Sequence, residues 1–315
     1  MINDQKISFV YFGSSRLSVI VLNELKKLGY TPSLIVTAPD KPQGRKLVMT
    51  PNVVKTWAIE NNIKVADPAK LDSTFIENLK LIIDHDNLFI VASYGKIIPN
   101  EIIEMPTHKT LNIHPSLLPR YRGASPLPTA MLEDAKLTGV SIMQLDAEMD
   151  HGPIIAQKDA FILRWPTYEE FEEMMAIVGA HLLADILPDW IAGKITPKEQ
   201  DHAKATYTKK INKEDAELSL SVDELKNPAV IPSKKAYDIF RKIQAYHQWP
   251  QAYFFIERTN VNNSSDSAGA SQKIRVKITQ ASFVGDDKTG KLVINKVIPE
   301  GKKEMSYDAF TQGYL

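Results

Sequence analysis

ISFVYFGSSRLSVIVLNELKKLG, residues Ile7–Gly29, decides the fold of the first half of the chain. Ile7–Phe12 is rich in β-branched and aromatic residues and reads as a buried strand that ends at Gly13. Ser14 or Ser15 follows, and a short hydroxyl there can accept from the free N–H groups that open a helix. Leu17, Ile20, Val21, Leu25 and Leu28 then recur at helical spacing until Gly29 stops the helix. The same alternation continues downstream. Ser33–Thr37, Leu88–Ala92 and Thr110–His114 read as strands, and Val53–Glu60 as a short helix. Gly139–Leu145 and Ile154–Phe161 add two more strands. Thr167 opens a long helix whose apolar face is read as Phe171, Met174, Met175, Val178, Leu182, Leu183, Ile186 and Trp190. Strand–helix–strand order predicts an α/β fold with a mostly parallel sheet and helices on both faces.

The second half has another texture. Pro197 to Tyr207 is polar and aperiodic. Beyond it, Ala236–Ala245 reads as a helix. Phe254–Glu257, Lys273–Thr279, Lys291–Val297 and the stretch near the C-terminus read as strands. Short strands between polar turns predict a small barrel or sandwich. The chain of 315 residues is long enough for two domains. We expect them at 1–192 and 209–315, with 193–208 as linker. Thr259–Gln272 is a polar, turn-rich loop, and Asn227–Lys235 reads as an insertion.

Composition removes several function classes. Lys+Arg and Asp+Glu are both 38, so a globally basic, polyanion-binding field is excluded. The charge is unevenly divided, however. From Thr206 onward there are 17 Lys/Arg against 13 Asp/Glu, which favours that part for meeting a phosphate backbone. The absence of cysteine excludes disulfides, thiolate metal sites and a thiol nucleophile. Apolar runs such as Leu88–Ala92 fall short of the ~20 residues a membrane span needs. No signal-peptide pattern is read at the N-terminus. The resulting expectation is a cytoplasmic monomer with no membrane and no metal.

The densest chemistry lies in LNIHPSLLPRYRG, Leu111–Gly123. Residues i and i+2 of a strand point the same way, so Asn112 and His114 share a face. Pro115 ends the strand and leaves His114 at its carboxyl end, where parallel sheets bind ligands. An amide N–H can stabilise an oxyanion and an imidazole can move a proton near neutral pH, so the pair suits acyl chemistry. Asp150, in Met149–Pro153, could orient and charge-stabilise that imidazole. Spacing alone does not bring Asp150 to His114, and a carboxylate in a Gly-containing turn also has an ordinary turn role. Arg120 and Arg122 lie beside this cluster, as substrate contacts or as structural partners. Gly13-Ser14-Ser15 lacks the glycines of a pyrophosphate turn, which disfavours a dinucleotide enzyme.

Asn112-x-His114-Pro115-Ser116-Leu117-Leu118-Pro119, Arg122-Gly123 and Asp150-x-Gly152 together resemble the signature of the folate-dependent formyltransferases. Three further segments resemble the members of that family that formylate methionyl-tRNA. These are Ala38–Lys46 (APDKPQGRK), Thr206–Ile211 (TYTKKI), and Gln248-Trp249-Pro250 with Gly301–Ser306. The resemblance implies a Rossmann-like formyltransferase domain and a small C-terminal OB-like β-barrel. It implies 10-formyltetrahydrofolate as co-substrate and initiator methionyl-tRNA as partner. Asn112, His114 and Asp150 match the family's catalytic residues. Ser116, Leu117, Leu118 and Pro119 match one folate-contacting stretch, and Tyr94, Gly95 and Ile97 lie in another. Lys41, Arg45 and Lys46, with Lys209 and Lys210, are the expected tRNA contacts. His151 departs from the pattern, since many members carry Thr after the catalytic Asp. Two alternatives remain beside this reading: a formyltransferase of the same fold for a sugar-nucleotide or other small amine, and a catalytically inactive RNA-binding module.

Overall fold

The computed structural model describes residues 7–44, 47–83, 88–259 and 271–315. They form two compact units. The first holds the chain up to Pro126, Lys136–Ile162 and Glu172–Lys209; the second holds Leu127–Ala135, Leu163–Phe171 and Lys210–Leu315.

In the first unit, β1 (Phe9–Phe12) is buried on both faces. A strand covered on both sides has no polar face, which is why it reads as a continuous apolar run. α1 (Arg16–Lys27) starts at Ser15, whose hydroxyl accepts the Ser18 N–H while the Ser18 hydroxyl accepts the Ser15 N–H. The turn before α1 is filled by protein. Gly13 N–H donates to the Val36 carbonyl, and Ser14 N–H to the Ser93 carbonyl and the Ser18 hydroxyl. β2 (Leu34–Val36) follows. β3 (Lys41–Gln43) and β4 (Val48–Thr50) then make a hairpin where the sequence suggested only a loop. α2 (Val53–Glu60), capped by Asn52, leads to β5 (Lys64–Ala66) and α3 (Ser73–Ile82). Next come β6 (Leu88–Val91), α4 (Asn100–Ile103), β7 (Thr110–His114) and β8 (Arg122–Gly123). α5 (Pro126–Leu132) from Leu127 and the first residues of α6 (Tyr168–Ile191) belong to the second unit, while β9 (Leu137–Gln144), β10 (Ile154–Phe161) and α6 from Glu172 onward complete this one.

The main sheet has the order β10-β9-β7-β6-β1-β2-β5. β1, β2, β5, β6 and β7 are parallel, and β9 and β10 are antiparallel additions at one edge. The chain runs outward through β2 and β5 and then returns to β6 on the other side of β1. The reversal opens a crevice at the carboxyl ends of β1 and β6, and β7 ends one strand further along.

By length and composition α6 would pass for a membrane span. Its Phe171, Met175, Ala176, Ala180, Leu183 and Leu187 are nevertheless buried, as expected of a core helix. This face differs from the expected one: Met174 is 36% exposed, and small residues take its place inside. Gly179 shows why. A Cβ there would lie 2.5 Å from Ile113 Cγ2 on β7, so α6 approaches the strand that carries Asn112 and His114 more closely than any larger residue allows.

The expected linker is not free. β11 (Tyr207–Thr208) pairs in parallel with β8, joining Tyr207 to Arg122 and Thr208 to Gly123.

In the second unit, α7 (Val222–Lys226) and α8 (Ser233–Ala245) precede β12 (Tyr253–Thr259), β13 (Ser271–Val284), β14 (Lys291–Pro299) and β15 (Met305–Ser306). The strands form an antiparallel sheet in that order, and two irregularities near Gln280 bend the long β13. Glu217 bridges to Tyr253 at its edge. Ala236, Ile239, Phe240 and Ile243 of α8 are buried, at helical spacing. Arg241 of the same helix donates to the carbonyls of Met131 and Leu132 at the end of α5. Asp134 accepts from Trp165 Nε1 (2.6 Å) and from the Tyr237 hydroxyl (3.0 Å), tying residues 127–135 and 163–171 to this unit.

One expectation changes here. The last residues are mostly helix, α9 (Tyr307–Tyr314), after a two-residue strand. Ser306 caps α9, and Tyr307, Phe310 and Tyr314 stack along one side. Within Asn227–Lys235, Ile231 is buried and Ser233–Lys235 are the first turn of α8. The Thr259–Gln272 loop lies almost wholly outside the described residues.

Candidate active site

Asn112 and His114 are both buried and end β7 on one face, as strand alternation requires. The register Val91↔Asn112 sets the loop that leaves β6, carrying Tyr94, Gly95 and Ile97, beside them. Pro115 follows. The chain then folds back on itself: Ser116 N–H donates to the His114 carbonyl (2.8 Å) and the Ser116 hydroxyl to the Arg120 carbonyl (2.6 Å). Ser141 donates to the Ser116 carbonyl and accepts from the Leu118 N–H, and Gln157 Nε2 donates to the Leu118 carbonyl. Ser116 is therefore occupied inside the turn, where it shapes the Leu117–Pro119 backbone. The Leu118–Pro119 peptide is cis.

His114 Nε2 lies 3.0 Å from the Tyr121 carbonyl oxygen. A carbonyl only accepts, so Nε2 carries the proton. In the neutral ring this leaves Nδ1 with its lone pair, 3.6 Å from Asp150 Oδ1. Asp150 arrives from the β9–β10 connection in a left-handed backbone conformation (φ +51°). Its other oxygen accepts the Gly123 N–H at 2.7 Å. Residues 112, 114 and 150 therefore converge. Among the described residues the Asn112 carboxamide has no hydrogen-bond partner, so its N–H groups are available to a ligand.

The other expected site residues divide. Among the described residues the buried Tyr94 hydroxyl has no partner, and burial pushes this phenol up to about 12. Gly95 has φ +76°, and Ile97 is 89% exposed. Beside them Lys96 donates to the carbonyls of Pro68 and Ala69, and desolvation pulls its ammonium below the ordinary lysine range. Lys41 is exposed on β3, and the hairpin shows solvent an apolar edge of Leu47, Val48 and Met49. Arg45 and Lys46 lie outside the described residues. Lys209 and Lys210 are both exposed.

Sequence reading left Arg122 open between substrate contact and structural partner, and it missed Gln200 and His202, which join Arg122 in supporting the Asp150 loop. Arg122, 1% exposed, donates to Gln200 Oε1, His202 Nδ1 and the Tyr207 hydroxyl. Gln200 Nε2 donates to the carbonyls of Asp150 (3.0 Å) and Gly152 (2.7 Å). His151 is turned away from His114. Its Nδ1 lies 2.7 Å from Asp146 Oδ2, and its ring stacks on His202 at 4.1 Å. Arg120 instead lies over the Tyr121 ring and donates to the Tyr121 hydroxyl.

A Rossmann-like sheet with an amide and an imidazole at the end of β7, and a carboxylate from the β9–β10 connection 3.6 Å from that imidazole, is an arrangement suited to acyl transfer. Residues 5–187 match the family described as Formyl transferase, and residues 230–315 match Formyl transferase, C-terminal domain. The chain belongs to the formyl transferase family and is a formyl-transferring enzyme. A methionyl-tRNA formyltransferase from Listeria monocytogenes is 34% identical over 312 residues, which span 96% of this chain and 95% of that one. Among solved structures, the methionyl-tRNA formyltransferase from Clostridium thermocellum aligns with a TM-score of 0.54 at 18% identity, covering 93% of this chain and 98% of that one. The N-formyltransferase from Helicobacter canadensis, in complex with folinic acid and dTDP-3-aminofucose, aligns at 0.57 and 17%, covering 91% and 98%. These two show that the fold is shared.

Proposed function

We propose that this enzyme transfers the formyl group of 10-formyltetrahydrofolate to the α-amine of methionyl initiator tRNA, for translation initiation in the cytoplasm. The observation that carries the reading is the unpartnered Asn112 amide beside the His114–Asp150 pair. The full-length likeness to methionyl-tRNA formyltransferases supports the acceptor.

The attacking amine must be neutral. An α-amino group has a pKa of about 8, so losing its proton near neutral pH is modest work. The Nε2 edge of His114 is held by the Tyr121 carbonyl, so its contribution passes through Nδ1. Nδ1 takes a proton from the amine as it attacks, and the Asp150 carboxylate at 3.6 Å stabilises the imidazolium. The Asn112 N–H donates to the oxygen that becomes negative as the carbonyl carbon turns tetrahedral. When the carbon–nitrogen bond to the donor breaks, His114 returns the proton to the leaving nitrogen. No residue is acylated in this sequence. The loop carrying Tyr94 and Gly95, on the strand next to Asn112, and the Leu117–Pro119 turn would border the folate.

Lys41, Lys209 and Lys210 would contact the tRNA backbone, together with Arg45 and Lys46. Lys209→Ala together with Lys210→Ala should weaken tRNA binding across tRNA sequences. The plot of log affinity against log salt should flatten by about one unit for each phosphate that is no longer neutralised. Filter-binding titrations over a salt series measure this, and an unchanged slope would remove these lysines from the interface.

An acceptor competition tests the function. The enzyme is given 10-formyltetrahydrofolate with methionyl initiator tRNA and a dTDP-amino sugar together. N-formylmethionine should be the product. Formylation of the sugar alone would favour the small-amine reading, which the Helicobacter canadensis neighbour represents.

A further inference from the structure

Arg122 raises a question the mechanism leaves open. Its guanidinium is buried, yet among the described residues it forms no ion pair. A buried cation held only by neutral acceptors is a costly arrangement, and two of its three side-chain partners, Gln200 and His202, touch the Asp150 loop. Nε and Nη2 both reach Gln200 Oε1, at 3.2 and 2.7 Å. The amide end of Gln200, itself buried, grips the backbone on either side of His151 through the carbonyls of Asp150 and Gly152. A second path starts at the same place: the N–H of Gly123, the residue after Arg122, holds Asp150 Oδ2 at 2.7 Å. Tyr207 and Thr208 pair with Arg122 and Gly123 from outside. Asp150 is thus fixed at its backbone and at one oxygen, which leaves Oδ1 facing His114 Nδ1.

We propose that Gln200 and Arg122 are positioning residues for the formyl transfer: they hold the Asp150 loop in its left-handed conformation so that the free carboxylate oxygen meets His114. The inference rests on the proposed role of Asp150. It assigns to residues 200–208 a part in the active site that the word linker hides. Gln200 suits this part because its carboxamide has two unlike ends, an acceptor for the cation and a donor for two carbonyls. Only Gln has this length and this pair of ends together. Glu keeps the acceptor and loses the donor.

Gln200→Glu is therefore the discriminating variant. Its carboxylate keeps the bond to Arg122, so the melting midpoint should stay within a few degrees of the parent. It faces the Asp150 and Gly152 carbonyls with like partial charge, and the loop should shift. A misplacement of about 1 Å costs on the order of 10²-fold in rate, so kcat should fall by about that factor. KM for both substrates should stay within roughly threefold, since Gln200 touches neither. The Gly123 amide, losing its hold on Asp150, should exchange its hydrogen at least about tenfold faster by NMR. In an Asp150→Asn background the Gln200→Glu change should add almost nothing to the rate loss.

A parental Gly123 exchange rate with parental kcat overturns the proposal. So does a full, multiplying rate loss in the Asp150→Asn background, because Gln200 would then act elsewhere. If Asp150→Asn itself transfers formyl at the parental rate, the catalytic reading of Asp150 fails. The Gly123 exchange rate then decides alone whether Gln200 holds the loop.

Discussion

Asn112→Ala slows formyl transfer by about 10²–10³-fold, the usual loss when one oxyanion donor is removed from a site that excludes water. The residue is 8% exposed at the end of β7, and its amide is not engaged elsewhere among the described residues. Nothing in the described fold therefore competes with the contact proposed for it at the developing oxygen. The loss should lie in kcat, with KM for both substrates within about threefold, because the donor matters only once charge has formed. Asn112→Asp, of the same shape but lacking the N–H groups, should be at least as damaging. His114→Ala should match it in rate and also remove the hydrogen bond that His114 Nε2 makes to the Tyr121 carbonyl, at a cost in stability of about 1 kcal/mol. Single-turnover rates, with melting midpoints alongside, separate the two contributions. Near-parental turnover in either alanine variant would reject the assigned roles.

Gly152→Ala should impair stability and turnover together. A Cβ on Gly152 would sit 2.1 Å from the Gln144 carbonyl oxygen and 3.4 Å from Asp146 Cγ. The nearest obstacle is backbone, and Gln144 N–H is bonded to the Pro153 carbonyl just beyond. No side chain can swing aside, so the connection between β9 and β10 must move. Forcing extra volume into such a place costs typically about 1–3 kcal/mol. The displaced segment carries Asp150 two residues away, and its Gly152 carbonyl is the closer of the two gripped by Gln200. Turnover should therefore drop by roughly 10²-fold even below the melting transition. A urea midpoint and a kcat measured at low temperature check the two parts. Parental values for both would mean that the loop accommodates a side chain the geometry forbids.

What could be read from the sequence follows the range of the forces involved. β1, α2, β7 and β10 were legible because each is a local pattern bounded by a local stop: Gly13, Asn52, Pro115 and the turn at Gly152-Pro153. The Asn112–His114 pair was legible because strand alternation is a two-residue rule. Asp150 needed the family resemblance, since nothing local tells a turn carboxylate from one that crosses to another loop. Gln200 and His202 were missed because their partners lie about fifty to eighty residues away and their segment is polar and aperiodic. Arg122 stayed open between a substrate contact and a structural partner, and only the fold shows it buried among protein partners. The hairpin around Lys41 was hidden by Pro42 and Gly44, which read as loop punctuation. The C-terminal helix did leave a signal: Ser306 as cap and aromatics at 307, 310 and 314, spaced three and four apart.

Formyl transfer to a charged tRNA, followed by release and identification of the amino acid, puts the whole chain of inference at risk at once. With 10-formyltetrahydrofolate and methionyl initiator tRNA, the parent enzyme should yield N-formylmethionine. Asn112→Ala, His114→Ala and Asp150→Ala should each yield it at least about 100-fold more slowly with tRNA binding retained. A parent that leaves the methionine unmodified, or variants that keep pace with it, would contradict the assignment.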